Sequence, residues 1–205
     1  MPKIVDPEAR RQEVAEAVFR VVGRDGLEHA SLRNVADEAG LAIGSVRHYF
    51  ADHAELMIFA MDELSRRTDR RVRAHADEIL DPASRIDRAV GTEELLAELL
   101  PLDEARHAEA VLWLAFTSAA RTRPELQHRS QEMHDSKRSL MAHVLSEADR
   151  LGGLPPGTDI EVESLRLTAL LDGLAFQLVL HPGHTTPDAA RHVLRRHLRG
   201  LQQGN

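Results

Sequence analysis

The sequence predicts an all-α fold, and three observations carry that reading. Val14, Ala17, Val18, Val21 and Val22 recur at the i, i+3, i+4, i+7, i+8 spacing of one helix face. No stretch alternates apolar and polar residues with the period of a strand. Two short helix patterns meet tightly at Gly40, the signature of a helix-turn-helix. The expected organisation is an N-terminal three-helix helix-turn-helix domain over residues 1–52, joined to a larger helical domain over residues 53–205.

The first helix carries the valine stripe and stops at Asp25-Gly26, where glycine suits the left-handed position after a helix. Ser31 caps the second, although Asn34 stands where a full capping box has Glu or Gln. Val35, Ala36 and Ala39 are expected to face the first helix, and Gly40 ends the segment. Val46 and Phe50 then plug the third helix into the same core. About fifty residues make a small core, so this region should lean on later helices of the chain. A long helix starts near Asp52 or His53, with Leu56, Phe59, Ala60 and Leu64 on its apolar side. Arg66, Arg67, Arg70, Arg71 and Arg73 crowd its far end and read as a solvated face favouring the helix C-terminus.

Asp81-Pro82 breaks the pattern, and Ile86, Ala89 and Val90 begin a helix before Gly91-Thr92. Leu95 to Leu102 continues irregularly, with Pro101 as a break. Asp103 to Arg123 contains Ala110 to Phe116, apolar nearly all round, which predicts a buried helix. Pro124 restarts a helix that runs to about Leu151. Gly152 to Gly157 is the clearest loop. Two helices close the chain: Ile160 to Leu180, ended by His181-Pro182-Gly183, and Pro187 to Leu201, capped by Thr186.

The formal charge of -7 and a pI near 5.9 exclude a protein coated in basic surface, so any nucleic-acid contact must be a local patch. Residues 1–55 themselves hold seven basic and ten acidic residues. Gly40 to Ala51, however, lacks Asp and Glu and gathers Ser45, Arg47, His48 and Tyr49, all hydrogen-bond donors suited to DNA. The absence of cysteine excludes disulfides, thiolate zinc sites and cysteine nucleophiles. Met1-Pro2-Lys3 is followed by acidic residues rather than an apolar leader, and no apolar run approaches a membrane span. The expectation is a cytoplasmic protein with no membrane partner.

The twelve histidines form no closely spaced pair on one helix face, so no metal site is expected, and no cofactor. His192 and His197 are five apart, and His181 and His184 share a loop. No strand–turn–helix elbow or glycine-rich phosphate loop positions Ser118 or Ser139 as a nucleophile, so no catalytic residue is assigned and the chain is not read as an enzyme.

The run Ser31-Leu32-Arg33-Asn34-Val35-Ala36-x-x-Ala39-Gly40-Leu41-x-x-Gly44-Ser45-Val46-x-x-Tyr49-Phe50, with Leu56 beyond it, resembles the DNA-binding domain of the TetR family of bacterial transcriptional repressors. Further on, Trp113 to Phe116, Ala119 to Thr122, Pro124-Glu125-Leu126, Leu171 to Leu174 and the ending Thr185-Thr186-Pro187-x-x-Ala190-Arg191 are similar to the betaine-regulator-like (BetI-type) branch. The resemblance implies a double-stranded DNA operator as partner. It implies that Ala42, Ile43, Gly44, Ser45, Arg47, His48 and Tyr49 of the third helix face it, with Arg33 and His53 alongside. Ile43 stands where the family has a basic or small polar residue; an aliphatic side chain there can touch a thymine methyl but not read guanine, or can pack against the scaffold instead. Arg47 replaces an aromatic residue and can fork onto a guanine or hold a phosphate. Tyr49 matches a phosphate-holding position, or is a half-buried core residue with its hydroxyl in water. His53 replaces a lysine and is expected exposed, a weaker phosphate grip at neutral pH.

The same resemblance implies that the larger domain binds a small-molecule effector and dimerises. Candidate effector walls are Trp113, Phe116, Met133, Met141 and Phe176, each with ordinary core packing as its alternative. Aromatic residues make up 3% of the chain, too few for a multi-ring cation cage, so no effector is named. Apolar residues cover more than one face of the helix from Ile160 to Leu180, and the second face wants a partner. The dimer seam is assigned to Leu167, Leu170, Leu174, Leu178, Val193, Leu194, His197 and Leu201, with Gly173 letting backbones approach. The reading is a ligand-responsive homodimeric repressor on a near-palindromic operator. The alternative is a helical interaction module that has lost DNA binding.

Overall fold

The computed structural model describes residues 6–80 and 87–204. Among them all regular structure is helical, and no helix is long and apolar enough to cross a membrane. The α-helices are α1 (Pro7–Asp25), α2 (Leu32–Glu38), α3 (Ile43–Tyr49), α4 (His53–Leu80), α5 (Arg88–Ala97), α6 (Glu104–Ala120), α7 (Pro124–Arg150), α8 (Ile160–Leu180) and α9 (Pro187–Gln203), with a 3-10 turn at Leu27–His29. The sequence boundaries hold to within a few residues because capping chemistry sets them. Asp6, Ser31, Asp87, Asp159 and Thr186 each accept a backbone N–H of the turn they open. Asp52 accepts from the Glu55 N–H at 2.9 Å while the Glu55 carboxylate accepts from the Ala51 N–H at 2.7 Å, a reciprocal cap that fixes the start of α4.

Two expectations change. Gly91-Thr92 does not end a helix: α5 runs through Gly91, which is buried, and Asp87 caps its start. Glycine in an ordinary helical conformation weakens a helix without breaking it. The predicted break at Asp81-Pro82 and the helix start at Ile86 lie outside the described residues. Second, α6 is not buried all round; Leu112, Phe116 and Ala120 are buried, whereas Trp113 and its neighbours are half-buried.

The chain divides into two compact units. The first comprises residues 1–67 and 111–131, the second 68–110 and 132–205, so α4, α6 and α7 each contribute to both. In the first unit α1, α2 and α3 pack together around Val14, Val18, Val35, Ala36, Val46 and Phe50. Leu56, Phe59 and Ala60 of α4 join that core, with the Phe50 and Phe59 rings 5.4 Å apart. Leu112, Phe116 and Leu126 are buried in the same unit, and Arg129 ion-pairs with Asp62 at 2.6 Å. The small three-helix core thus leans on later segments.

The second unit is built around Val72, Leu95, Leu96, Leu100, Met141, Leu145, Leu154, Leu167, Leu171, Leu194 and Leu201. The arginine run of α4 is not a solvated helix end, because the helix continues to Leu80. Arg66 and Arg67 pair with Glu8, Glu16 and Glu63 in the first unit, and Arg71 holds Glu98 at 2.9 Å and Glu109 at 2.6 Å in the second. Within the second unit α9 is fastened to α5 by Glu93, a buried carboxylate that takes two hydrogen bonds of 2.8 Å from Arg195 and one of 3.3 Å from Arg191.

Those hydrogen bonds from Arg195, ahead of the charges of both arginines, hold the Glu93 carboxyl below its ordinary range. Its contribution is therefore present above the unfolded carboxylate range and lost as pH falls through the lower folded value. Glu93→Gln is expected to melt several degrees below the parent at pH 7. The gap should narrow as pH is lowered from about 5 to 3, read by circular dichroism. A constant gap across that range would show that Glu93 is not titrating against these arginines.

Candidate nucleic-acid interface

The turn between α2 and α3 is set by Gly40, whose φ of +66 is left-handed. The Leu41 N–H donates to the Ala36 carbonyl at 2.9 Å and the Gly40 N–H to the Asp37 carbonyl at 3.1 Å, which closes α2 and turns the chain sharply into α3. Val46 and Phe50 are fully buried, so the inward face of α3 is locked to the core. The opposite face leaves Ile43, Gly44, Ser45, Arg47 and His48 exposed, with Ala42 exposed just ahead of the helix. Arg33 of α2 is exposed as well.

Charge pairing distinguishes this face from the rest of the N-terminal helices. Arg20 and Arg24 both bind Glu38, and Arg10 binds Glu13. Arg11 lies over the Phe50 and Phe59 rings at 4.8 and 4.5 Å, donates to the Tyr49 carbonyl at 3.4 Å and pairs with Glu55. Among the described residues ahead of α4, Arg33 and Arg47 are the two arginines with no ion pair or hydrogen bond. Surface pairs add little stability, but they cancel the field that would attract a polyanion. What remains uncancelled lies on α2 and α3.

Tyr49 is half-buried with its ring edge-on to His48 at 5.1 Å. Its body is packed and part of it still reaches solvent. His53 departs from expectation. It is half-buried rather than exposed and hydrogen-bonds the Ala30 backbone. Burial first, and then the charge of Arg123, pull its pKa below the ordinary histidine value, which disfavours the cation that a phosphate grip would use.

Residues 91–203 match a family described as BetI-type transcriptional repressor, C-terminal. The chain is 35% identical over 201 residues to the HTH-type transcriptional regulator PksA of Bacillus subtilis, covering 98% of this chain and 94% of that protein. This is a TetR-family transcriptional regulator. A transcriptional regulator from Rhodococcus sp. Rha1 shares its fold at TM-score 0.79 with 31% identity, over 95% of this chain and 96% of that one. The multidrug binding protein EbrR, solved in complex with malachite green, matches at TM-score 0.66 and 31% identity, over 92% and 97% of the two chains. The TetR-type chain is thus a transcriptional regulator rather than an enzyme. Among its described residues no group of three His, Asp or Glu is placed to hold a metal ion.

The residues expected to face an effector differ in burial. Phe116 is fully buried in the first unit and Met141 in the second. Trp113 and Met133 are half-buried. Phe176 is 45% exposed and sits on the outer face of α8, which removes it from an interior wall.

The dimer residues need a similar correction. Leu167, Leu178, Leu194 and Leu201 are buried within the chain, and Leu170, Leu174 and His197 are half-buried. Val193, at 41%, is the one of that set that is exposed. α8 is indeed apolar on two faces. Ser164, Leu167, Thr168, Leu171, Ala175 and Leu178 line the buried one, and Ser164 and Thr168 satisfy their hydroxyls on carbonyls four residues back. Val162, Leu165, Ala169, Gly173, Phe176 and Leu180 recur every three or four residues along the other, and all six are exposed. Sequence periodicity found both stripes, and the face that packs within the chain is the one carrying Ser164 and Thr168, whose small hydroxyls suit close packing.

Proposed function

We propose that this regulator is a homodimeric repressor whose two α3 helices enter successive major grooves of a near-palindromic operator and whose grip is released by a small molecule. The observation that carries the reading is the α3 face, exposed, free of acid and crowned by an unpaired Arg47. Two such helices separated by about 34–36 Å, or a multiple, would match one turn of DNA. The exposed apolar stripe of α8, flanked by Val193 of α9, supports self-association through these helices as an intermolecular four-helix bundle.

A small-molecule effector is supported by the likeness to EbrR, and the class of effector is left to experiment. Such a molecule releases DNA only to the extent that it binds the non-operator conformation more tightly. The work is done in the cytoplasm, where the operator lies.

A salt-dependent gel shift with the DNA flanking its own gene tests the core of this reading. The expected result is a discrete complex that outcompetes random duplex and weakens steeply with salt. Equal affinity for both DNAs at all salt concentrations would favour a helical interaction module instead. The sole tryptophan, Trp113, is half-buried and serves as reporter in a metabolite screen. A binding effector is expected to change its emission and lower operator affinity together.

A further inference from the structure

Three features of α3 are unexplained by the packing of the chain itself. Ile43 is 37% exposed, and among the described residues of the first unit no other large apolar side chain stands in solvent to that degree. Arg47 lies four residues on, hence on the same side of the helix, and is unpaired where Arg10, Arg11, Arg20 and Arg24 each hold a carboxylate. Gly44 lies between them inside the helix. Its φ is not positive, and a Cβ built on it meets nothing within 4 Å. Neither backbone geometry nor internal space asks for glycine there, although glycine weakens a helix relative to alanine. An exposed isoleucine, an unpaired arginine and a bare stretch of backbone on one face are all accounted for by a surface outside the protein.

We propose that α3 reads a half-site in which a thymine methyl packs against Ile43 and the edge of a guanine is held by Arg47, with Gly44 letting the helix backbone close on the bases. The proposal rests on the DNA-binding reading above. Four residues advance the helix by about 6 Å, and base pairs are spaced by about 3.4 Å, so the two bases lie about two steps apart. The chemistry is selective on both sides. In the major groove the thymine methyl is the apolar feature that an aliphatic side chain can cover, and guanine O6 and N7 form the acceptor pair that a guanidinium fork fits. Neither residue can substitute for the other, so the order of thymine and guanine in the half-site follows the direction of the helix in the groove.

The test uses the full-length protein and duplexes selected from a random library. Enriched half-sites are expected to hold a thymine and a guanine about two steps apart. Replacing that thymine by uracil removes the methyl alone and is expected to lower affinity about fourfold, the effect of one buried carbon. Ile43→Ala should show the same loss and be indifferent to the uracil. Replacing the guanine by 7-deazaguanine should cost the parent about fivefold or more, and Arg47→Ala should be indifferent to it. Gly44→Ala should weaken binding to the selected duplex while leaving the melting temperature unchanged or raised. A selected site at which no uracil or deaza replacement lowers affinity overturns the base assignment and leaves DNA binding standing. Failure to enrich any duplex over random DNA overturns both.

Discussion

Phe176→Arg is expected to convert the regulator to monomers and to weaken operator binding by about 10²- to 10⁴-fold. Phe176 is the largest side chain of the exposed α8 stripe, beside Gly173, where the backbone is bare and a Cβ would meet nothing. Placing a guanidinium there puts like charges into a two-fold seam, and desolvating such a charge costs several kcal/mol. The monomer should still fold, because the ring already stands largely in solvent and its one aromatic neighbour is His181 at 6.0 Å. Each monomer keeps an intact α3 but holds the second half-site no longer at high effective concentration. Leu167→Arg is the instructive control: Leu167 is fully buried, so that substitution should unfold the second unit rather than split a dimer. Sedimentation and fluorescence anisotropy on the same samples separate the two outcomes. A Phe176→Arg protein that stays dimeric at micromolar concentration would move the interface off this stripe.

Phe116→Ala is expected to destabilise the first unit by about 3–5 kcal/mol, the range for emptying a buried phenylalanine site. Phe116 is fully buried, whereas Trp113, three residues earlier on α6, is half-buried and should tolerate phenylalanine with little change. A loss of this size lowers the melting temperature by roughly 10 °C in a domain of this length. Thermal melts of Phe116→Ala and Trp113→Phe measure both. If Phe116→Ala costs less than about 1 kcal/mol, the ring borders space that already accepts truncation, and its alternative role as an effector wall gains weight.

Local chemistry made most of the fold legible. Ser31, Thr186, Pro124 and Gly40 mark helix boundaries because a side-chain cap, a missing N–H or a left-handed φ is decided by one or two residues. The helix-turn-helix face was legible for the same reason: seven-residue α3 has one buried side, fixed by Val46 and Phe50, which leaves Ile43, Gly44, Ser45, Arg47 and His48 facing outward. Gly91 misled because glycine is a breaker only where the backbone demands it, and that demand is a property of the fold.

His53, the arginines of α4 and the dimer stripe required coordinates. Whether His53 is a phosphate ligand depends on Ala30 and Arg123, the second of which is seventy residues away in sequence. Arg66, Arg67 and Arg71 look alike along the chain, yet the first two are fastened to carboxylates of the first unit and Arg71 to carboxylates of the second. By itself the sequence determined where the helices start and stop, which face of α3 is outward, and that α8 has an apolar face too many. Only tertiary structure decided which of the two α8 faces meets the core, which charges are cancelled and which histidines are desolvated. The physical reason is range: caps and turns act within a few residues, while burial and ion pairing depend on neighbours that folding brings together from distant parts of the chain.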